Sequence, residues 1–181
     1  MMARARITSL DDPAFGCLFT SVQRSWFRLE TLQSYDVSYE RSEFEAFLEG
    51  GTPSAAWGPW EEMIAAHAAA GRHLARVHVI TEPLTDYARY ELAYYAVSSA
   101  AGEEVRLIPV PEGQWPAGVP RRDFWLFDER DVWLMAYGND GRFLYAERGG
   151  LSRRKAIRYR DAALAQSIPF SAYTTPAAQH P

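Results

Sequence analysis

Arg76 and His78 stand two residues apart in Ala75-Arg76-Val77-His78-Val79-Ile80, a run with the aliphatic content of a strand, so both leave it on one face with Ile80. A guanidinium and an imidazole on one face permit two chemistries. One is anion binding, helped by backbone N–H groups near Thr85 and Asp86 where the next helix begins. The other is catalysis on a phosphorylated or nucleotide-like substrate, with His78 as nucleophile or general base and Glu30 or Asp86 orienting it. The same residues also admit a structural use, in which Arg76 pairs with an acidic neighbour such as Glu91 and His78 is a satisfied, partly buried histidine.

Leu84 to Tyr95 carries Tyr87, Tyr90, Tyr94 and Tyr95, four tyrosines in nine residues. They cannot share a narrow core stripe, so some hydroxyls belong at an interface, a pocket rim or in solvent. In the plainer alternative the rings cover a sheet with wet hydroxyls while Asp86 and Arg89 pair at i, i+3. Trp125 and Trp133 in neighbouring strands read as core packing. Arg153-Arg154-Lys155 with Arg158 and Arg160 reads as a solvated helix face. His67 and His73 are six apart and lack the i, i+4 spacing that aims two imidazoles at a metal. Cys17, inside an apolar helix pattern, is expected to be a buried structural thiol. There is no Walker loop, dinucleotide G-x-G-x-x-G, H-E-x-x-H, G-x-S-x-G or paired C-x-x-C.

The elements that must position these residues follow from periodicity and punctuation. Asp11-Asp12-Pro13 opens a short helix with Phe15, Leu18, Phe19 and Val22 at helical spacing. Ser25 to Leu32 alternates as a strand, with Trp26, Arg28 and Glu30 on one side and Phe27, Leu29 and Thr31 on the other. Short helices follow over Ser42 to Leu48 and from Trp60 to His67, the second ending by Gly71. Ala75 to Ile80, Leu84 to Ala100 and Val105 to Val110 form a β-α-β unit with a crossover long enough for parallel strands. Pro111 to Arg122 is a loop of the length that often serves a site. Phe124 to Phe127, Val132 to Tyr137 and Arg142 to Ala146 form an antiparallel meander, the last two joined by Gly138-Asn139-Asp140-Gly141. A helix over Ser152 to Gln166 presents Ala156, Tyr159, Ala163 and Leu164 as its apolar side.

The fold class expected is therefore α+β: a mixed sheet with a β-α-β unit, a meander and flanking helices, one domain over 11–173, and flexible termini at 1–10 and 174–181. The 181 residues are 48% hydrophobic, with 19 Lys+Arg against 23 Asp+Glu, enough for a core without disulfide or structural metal. A net charge of −4 argues against direct nucleic-acid binding and against an anionic membrane surface. One cysteine, no charged leader and no long apolar run point to a cytoplasmic setting. No cofactor or metal is expected.

Three segments together, Phe27 to Val37, Pro83 to Glu91 and Asp123 to Asp128, resemble an uncharacterised actinobacterial domain family of unknown function, often encoded near helix-turn-helix regulators. The element order is also similar, distantly, to half of a phospholipase-D-like fold. That superfamily uses H-x-K-x-x-x-x-D, and here His78 is followed by Ile80 at the lysine position and Thr85 at the aspartate position, so the electrostatic clamp is missing. The absence of a catalytic constellation, the acidic balance, the lack of a DNA-reading module and the genomic company that the resemblance implies point to a non-catalytic regulatory or ligand-sensing domain, whose partner is a helix-turn-helix regulator or a small anionic ligand. In that reading Arg28, Arg76 and Arg89 meet the anionic group beside His78, Tyr87 and Trp125 wall it, and Asp86 and Asp128 accept hydrogen bonds.

Overall fold

A computed structural model describes residues 5–174. Eight strands form one mixed sheet in the order β1-β7-β6-β5-β2-β3-β4-β8. They are β1 (Arg6–Ile7), β2 (Ser25–Glu30), β3 (His73–Glu82), β4 (Glu104–Pro111), β5 (Phe124–Phe127), β6 (Asp131–Tyr137), β7 (Phe143–Arg148) and β8 (Ile168–Pro169). The helices are α1 (Pro13–Thr20), α2 (Arg41–Leu48), α3 (Pro59–Ala69), α4 (Asp86–Ala101) and α5 (Arg153–Gln166). β2, β3 and β4 run parallel as sheet neighbours. Two successive right-handed crossovers in one direction put their helices on the same face, which is why α3 and α4 lie side by side. The meander of β5, β6 and β7 is antiparallel and joins the parallel half through the β2–β5 pairing.

The expected strands and helices are present with shifted ends, and β1 and β8 are added at the edges of the sheet. The expected flexible start at 1–10 is corrected in part: Arg6 and Ile7 pair with Glu147 and Ala146, and Ile7 is buried. Residues 1–4 and 175–181 lie outside the described residues. The loop over 112–122 packs on the α5 side, where Trp115 Nε1 donates to the Val119 carbonyl at 2.8 Å, and it lines no part of the site described below.

Local chemistry fixes the helix ends. Asp12 accepts from the Ala14 N–H at 2.8 Å ahead of Pro13, and Glu61 accepts from the Gly58 N–H at 2.9 Å. Thr85 Oγ1 accepts from the Ala88 N–H at 3.0 Å and donates to the Gln33 carbonyl at 2.5 Å. Gly102 ends α4 at φ 115°, and a Cβ there would stand 2.7 Å from the Ala68 Cβ of α3, so glycine lets the two helices meet.

One sheet face, with Phe27, Leu29, Val77, Val79 and Leu126, is closed by α5 through Ala156 and Ala163. Those alanines let the helix axis approach the sheet closely. On the other face Phe19 stands edge-on to Trp26, Trp60, Trp125 and Phe127, and Trp26 stacks on Trp60 at 5.5 Å. Such pairs contribute roughly 0.5–1.5 kcal/mol each beyond area burial. The expectation that Trp125 and Trp133 are core residues holds, whereas Cys17 is exposed on the outer side of α1. α1 has only eight residues, and its buried stripe is the Phe15–Phe19 line, which Cys17 does not share.

The β6–β7 turn gives a test. Gly141 sits at φ 79°, and an added Cβ would lie 2.5 Å from the Ser34 carbonyl oxygen. Gly141→Ala is expected to cost at least about 2 kcal/mol, and Gly113→Ala, with the same φ and open space, about 1 kcal/mol. Urea midpoints at unchanged m-values report the difference; equal losses would show that the close approach to Ser34 is not the constraint.

Candidate functional site

The β2–β3 register sets Arg28 opposite Arg76 and Glu30 opposite His78 on the face covered by α3 and α4. Two guanidiniums thus stand on neighbouring central strands, in a place that solvent barely reaches. Carboxylates brought from elsewhere compensate them. Arg28 Nη2 donates to Asp123, just before β5, at 2.9 Å and to the Tyr137 hydroxyl at 2.9 Å, and its Nε reaches Glu30 at 3.4 Å. Arg76 Nη1 donates to both oxygens of Glu30, at 3.0 and 2.9 Å, while its Nε meets Glu103, between α4 and β4, at 3.4 Å. Asp123 also accepts from the Thr31 N–H at 2.8 Å, Thr31 Oγ1 at 2.7 Å and the Tyr35 hydroxyl at 2.6 Å.

The carboxyls divide by partner. Burial opposes ionisation of Glu30, yet Arg76 and then Arg28 outweigh it and hold that carboxyl at about 2. Glu91, on α4, is pushed well above the usual range by burial and then by Glu30, with Arg76 opposing. Glu91 is therefore a neutral acid beside an ionised one. Burial also raises Glu103 against Arg76, and Asp123 against Arg28.

His78 has no exposed surface. Its Nε2 lies 2.7 Å from the Leu32 carbonyl and so carries the proton; Nδ1 lies 2.9 Å from the Tyr95 hydroxyl, itself 2.9 Å from Glu30. Tyr95 has one proton for these two acceptors. Burial lowers the imidazole further, against the pull of Glu30, so it is neutral. Glu30, His78 and Glu91 also place ligand atoms within 4.8 Å of one another, a spacing a metal could span. Glu30 is already committed to Arg76 and Tyr95, and a cation would face two guanidiniums, so the donor set does not suit one.

Above this floor lies a cavity of about 790 Å³. Arg28, Glu30 and Arg76 form its base, and Phe15, Phe19, Trp60, Tyr87, Tyr90 and Trp125 are among its aromatic walls. The α4 tyrosines are not left wet: Tyr87 donates to Glu40 at 2.7 Å, Tyr90 to Glu43 at 3.1 Å and Tyr94 to Glu61 at 2.6 Å. Two buried polar atoms in residues lining the cavity have no partner, Arg28 Nη1 and Glu91 Oε2.

Of the residues expected in a site, Arg28, Glu30, Arg76, Tyr87 and Trp125 line this cavity, and His78 lies at its base behind Tyr95 and Glu30. The others are corrected. Asp86 and Arg89 pair with each other at 2.7 Å on the exposed side of α4, so neither reaches His78 or an anion beside it. Asp128, at φ 51°, accepts from the backbone N–H groups of Gln23, Arg24 and Ser25 at the opposite end of β2. It borders a separate pocket of about 520 Å³ near the start of α5. The start of α4 is no open anion cradle, because Thr85 bonds to Gln33 and Gln33 bonds to Val79 and Thr81. Arg76 pairs with Glu30 and Glu103, not Glu91. In the phospholipase-like comparison the lysine and aspartate positions serve the fold: Ile80 is fully buried and Thr85 caps α4.

Asp123, Tyr35, Glu91, Tyr95 and Glu103 are site residues that sequence reasoning did not assign. Tyr87, Glu91 and Tyr95 are spaced i, i+4, i+8, the signal that would have placed them on one helix face toward the sheet.

Two tests follow from the charge arrangement. Asp123→Asn removes a buried counter-charge of Arg28 and is expected to cost about 3–5 kcal/mol, against under about 0.5 kcal/mol for Asp86→Asn at the exposed pair. Equal losses in urea unfolding would remove Asp123 from its role. The contribution of Glu30 is present above its ordinary 4.5 and is lost as pH falls through about 2. Glu91 has the opposite sign: its contribution is full below 4.5 and is lost as pH rises toward its elevated folded value. Glu91→Gln is thus expected to match the natural chain near pH 4.5 and to exceed it increasingly up to pH 8; a gap that is constant across this range would mean an ordinary carboxylate.

The family profile described as a domain of unknown function, DUF6879, matches residues 13–175. No curated protein matches the chain. Among solved structures the chain is similar to phosphatidylserine synthase of Haemophilus influenzae Rd KW20, with 10% identity over 92% of this chain and a TM-score of 0.47. It spans 39% of that enzyme's length. Among the described residues no helix is long and apolar enough to cross a membrane. With the profile running from the first turn of α1 to beyond β8, the chain belongs to the DUF6879 family.

Proposed function

We propose that this protein is a non-catalytic ligand-sensing domain that binds a small molecule in the α4-side cavity and passes its occupancy to a helix-turn-helix regulator. The observation that carries the reading is Arg28: a buried guanidinium at the base of an aromatic-walled cavity of about 790 Å³, with Nη1 unpartnered. A buried charged donor left unmet costs free energy that a ligand acceptor would recover. The ligand accordingly carries an anionic or strongly accepting group for Arg28 and an apolar, aromatic-compatible body. Arg76, already held by two carboxylates, supports Arg28 and does not share in the capture.

Sensing suits the geometry better than catalysis. Both ring nitrogens of His78 are engaged within the protein and the ring has no exposed surface, so it is poorly placed to attack a substrate. A route outward runs through α2, which buries no residue of its own and holds to α4 by Phe44 and Phe47 against Tyr87 and Tyr90. Because Tyr87 and Tyr90 line the cavity, a ligand touching them acts directly on the seat of α2. Tyr39, Leu48 and Trp57, exposed on and around α2, offer the apolar surface that a partner protein would cover.

Gly16 supplies the test. It lies on the exposed side of α1 at the cavity edge, and an added Cβ would meet nothing within 4 Å. Gly16→Leu is expected to keep or raise stability, by up to about 1 kcal/mol from helix propensity, while narrowing the cavity. Indolepropionate, an aromatic carboxylate, should raise the thermal midpoint of the natural chain, by about 2.7 kcal/mol of apparent stability at a hundredfold excess over Kd, and raise that of the variant less. Equal shifts in both would remove the cavity from ligand binding.

A further inference from the structure

Arg28 Nη1 is one of two unmet buried atoms at this cavity, and the second has the opposite demand. Glu91 Oε2 is without a hydrogen-bond partner on the α4 side, with His78 Nδ1 its nearest cationic-capable neighbour at 3.7 Å. Glu91 and Arg28 flank one carboxylate. Arg28 Nε is 3.4 Å from Glu30 Oε1, and the ligating oxygens of Glu91 and Glu30 lie within 4.8 Å of each other. A donor seeking an acceptor and an acid seeking a donor therefore stand around a single side chain at the base of a cavity walled by aromatic rings.

We infer that the cavity takes an aromatic zwitterion of the α-amino-acid type, with its carboxylate on Arg28, its ammonium on Glu91 and its ring among Phe19, Trp60 and Trp125. The inference rests on the ligand-sensing reading and adds the ammonium. Three observations favour a head group carrying both charges over a simple anion. First, the positive charge of the floor is already matched: Arg28 and Arg76 are set against Glu30, Asp123 and Glu103, so a second anion such as phosphate meets no surplus of cation. Second, Glu40 and Glu91, both at the cavity, are acids whose charge is disfavoured by burial and by the other carboxylates around them, and an entering ammonium favours their ionised forms. Third, an ammonium placed among these rings gains cation–π attraction, which strengthens as water is excluded.

The probes are three molecules with one indole ring: tryptophan (both charges), tryptamine (ammonium only) and indolepropionate (carboxylate only). Thermal shift and titration calorimetry on the full chain at pH 7 are expected to give tryptophan a Kd at least tenfold below either of the others. Glu91→Gln should bring tryptophan to the level of indolepropionate and leave indolepropionate unchanged. Should indolepropionate alone bind, or equal tryptophan, the zwitterion inference falls while the ligand-sensing reading stands. Tryptamine binding as tightly as tryptophan would remove the role of Arg28 and overturn the inference. If none of the three stabilises the chain, both readings fall together. The comparison of the three probes needs no variant, so a Glu91→Gln chain that failed to fold would not spare the inference.

Discussion

The structure turns on Arg28 and Arg76 standing abreast in the middle of the sheet. Like charges on adjacent strands repel, and here burial leaves little solvent to screen them. The chain answers with carboxylates drawn from separate places: Glu30 from β2 itself, Asp123 from the entrance to β5 and Glu103 from the turn after α4. Each of those segments is thereby fixed in position. The β2–β5 junction, where the parallel half of the sheet meets the meander, is bound across by the Arg28–Asp123 pair as well as by its ladder.

This arrangement is an inefficient way to stabilise a fold. A buried ion cluster must recover the desolvation of every member, and apolar replacement of such clusters is often neutral or favourable. The opposite face of the same strands shows the cheaper solution, with Phe27, Leu29, Val77 and Val79 packed on the alanine stripe of α5. The charged face differs in being the base of a large aromatic-walled cavity, and three of its polar atoms, Arg28 Nη1, Glu91 Oε2 and Glu103 Oε2, are left unmet. A cluster built only for the fold would more economically have ended in a satisfied network.

Much of the fold was legible in the sequence because its signals are local. Asp12 caps a helix where a cap was expected, Gly138 to Gly141 turns the hairpin, and the alternation from Ser25 separated Trp26, Arg28 and Glu30 from Phe27 and Leu29. The site was legible only in part. Arg28, Arg76, Tyr87 and Trp125 were named from residue chemistry and motif position, and they do line the cavity. Asp86 and Arg89 were misplaced because a motif read along the chain does not say which side of the helix faces in; one position either way turns a helical side chain by about 100°. Asp123 and Glu103 were invisible for another reason: their partners lie 95 and 27 residues away, and only sheet register brings them together.

Proton placement ties the buried network to the cavity. Tyr95 can give its single proton to His78 or to Glu30; Glu30 is also held by Arg76, so His78 Nδ1 is the acceptor that depends on Tyr95. Glu91 Oε2 stands 3.7 Å from His78 Nδ1, just beyond hydrogen-bond reach. Since α2 is seated on Tyr87 and Tyr90 while Tyr95 of the same helix reaches Glu30 and His78, α4 is the one element that touches both the exposed helix above it and the buried network below.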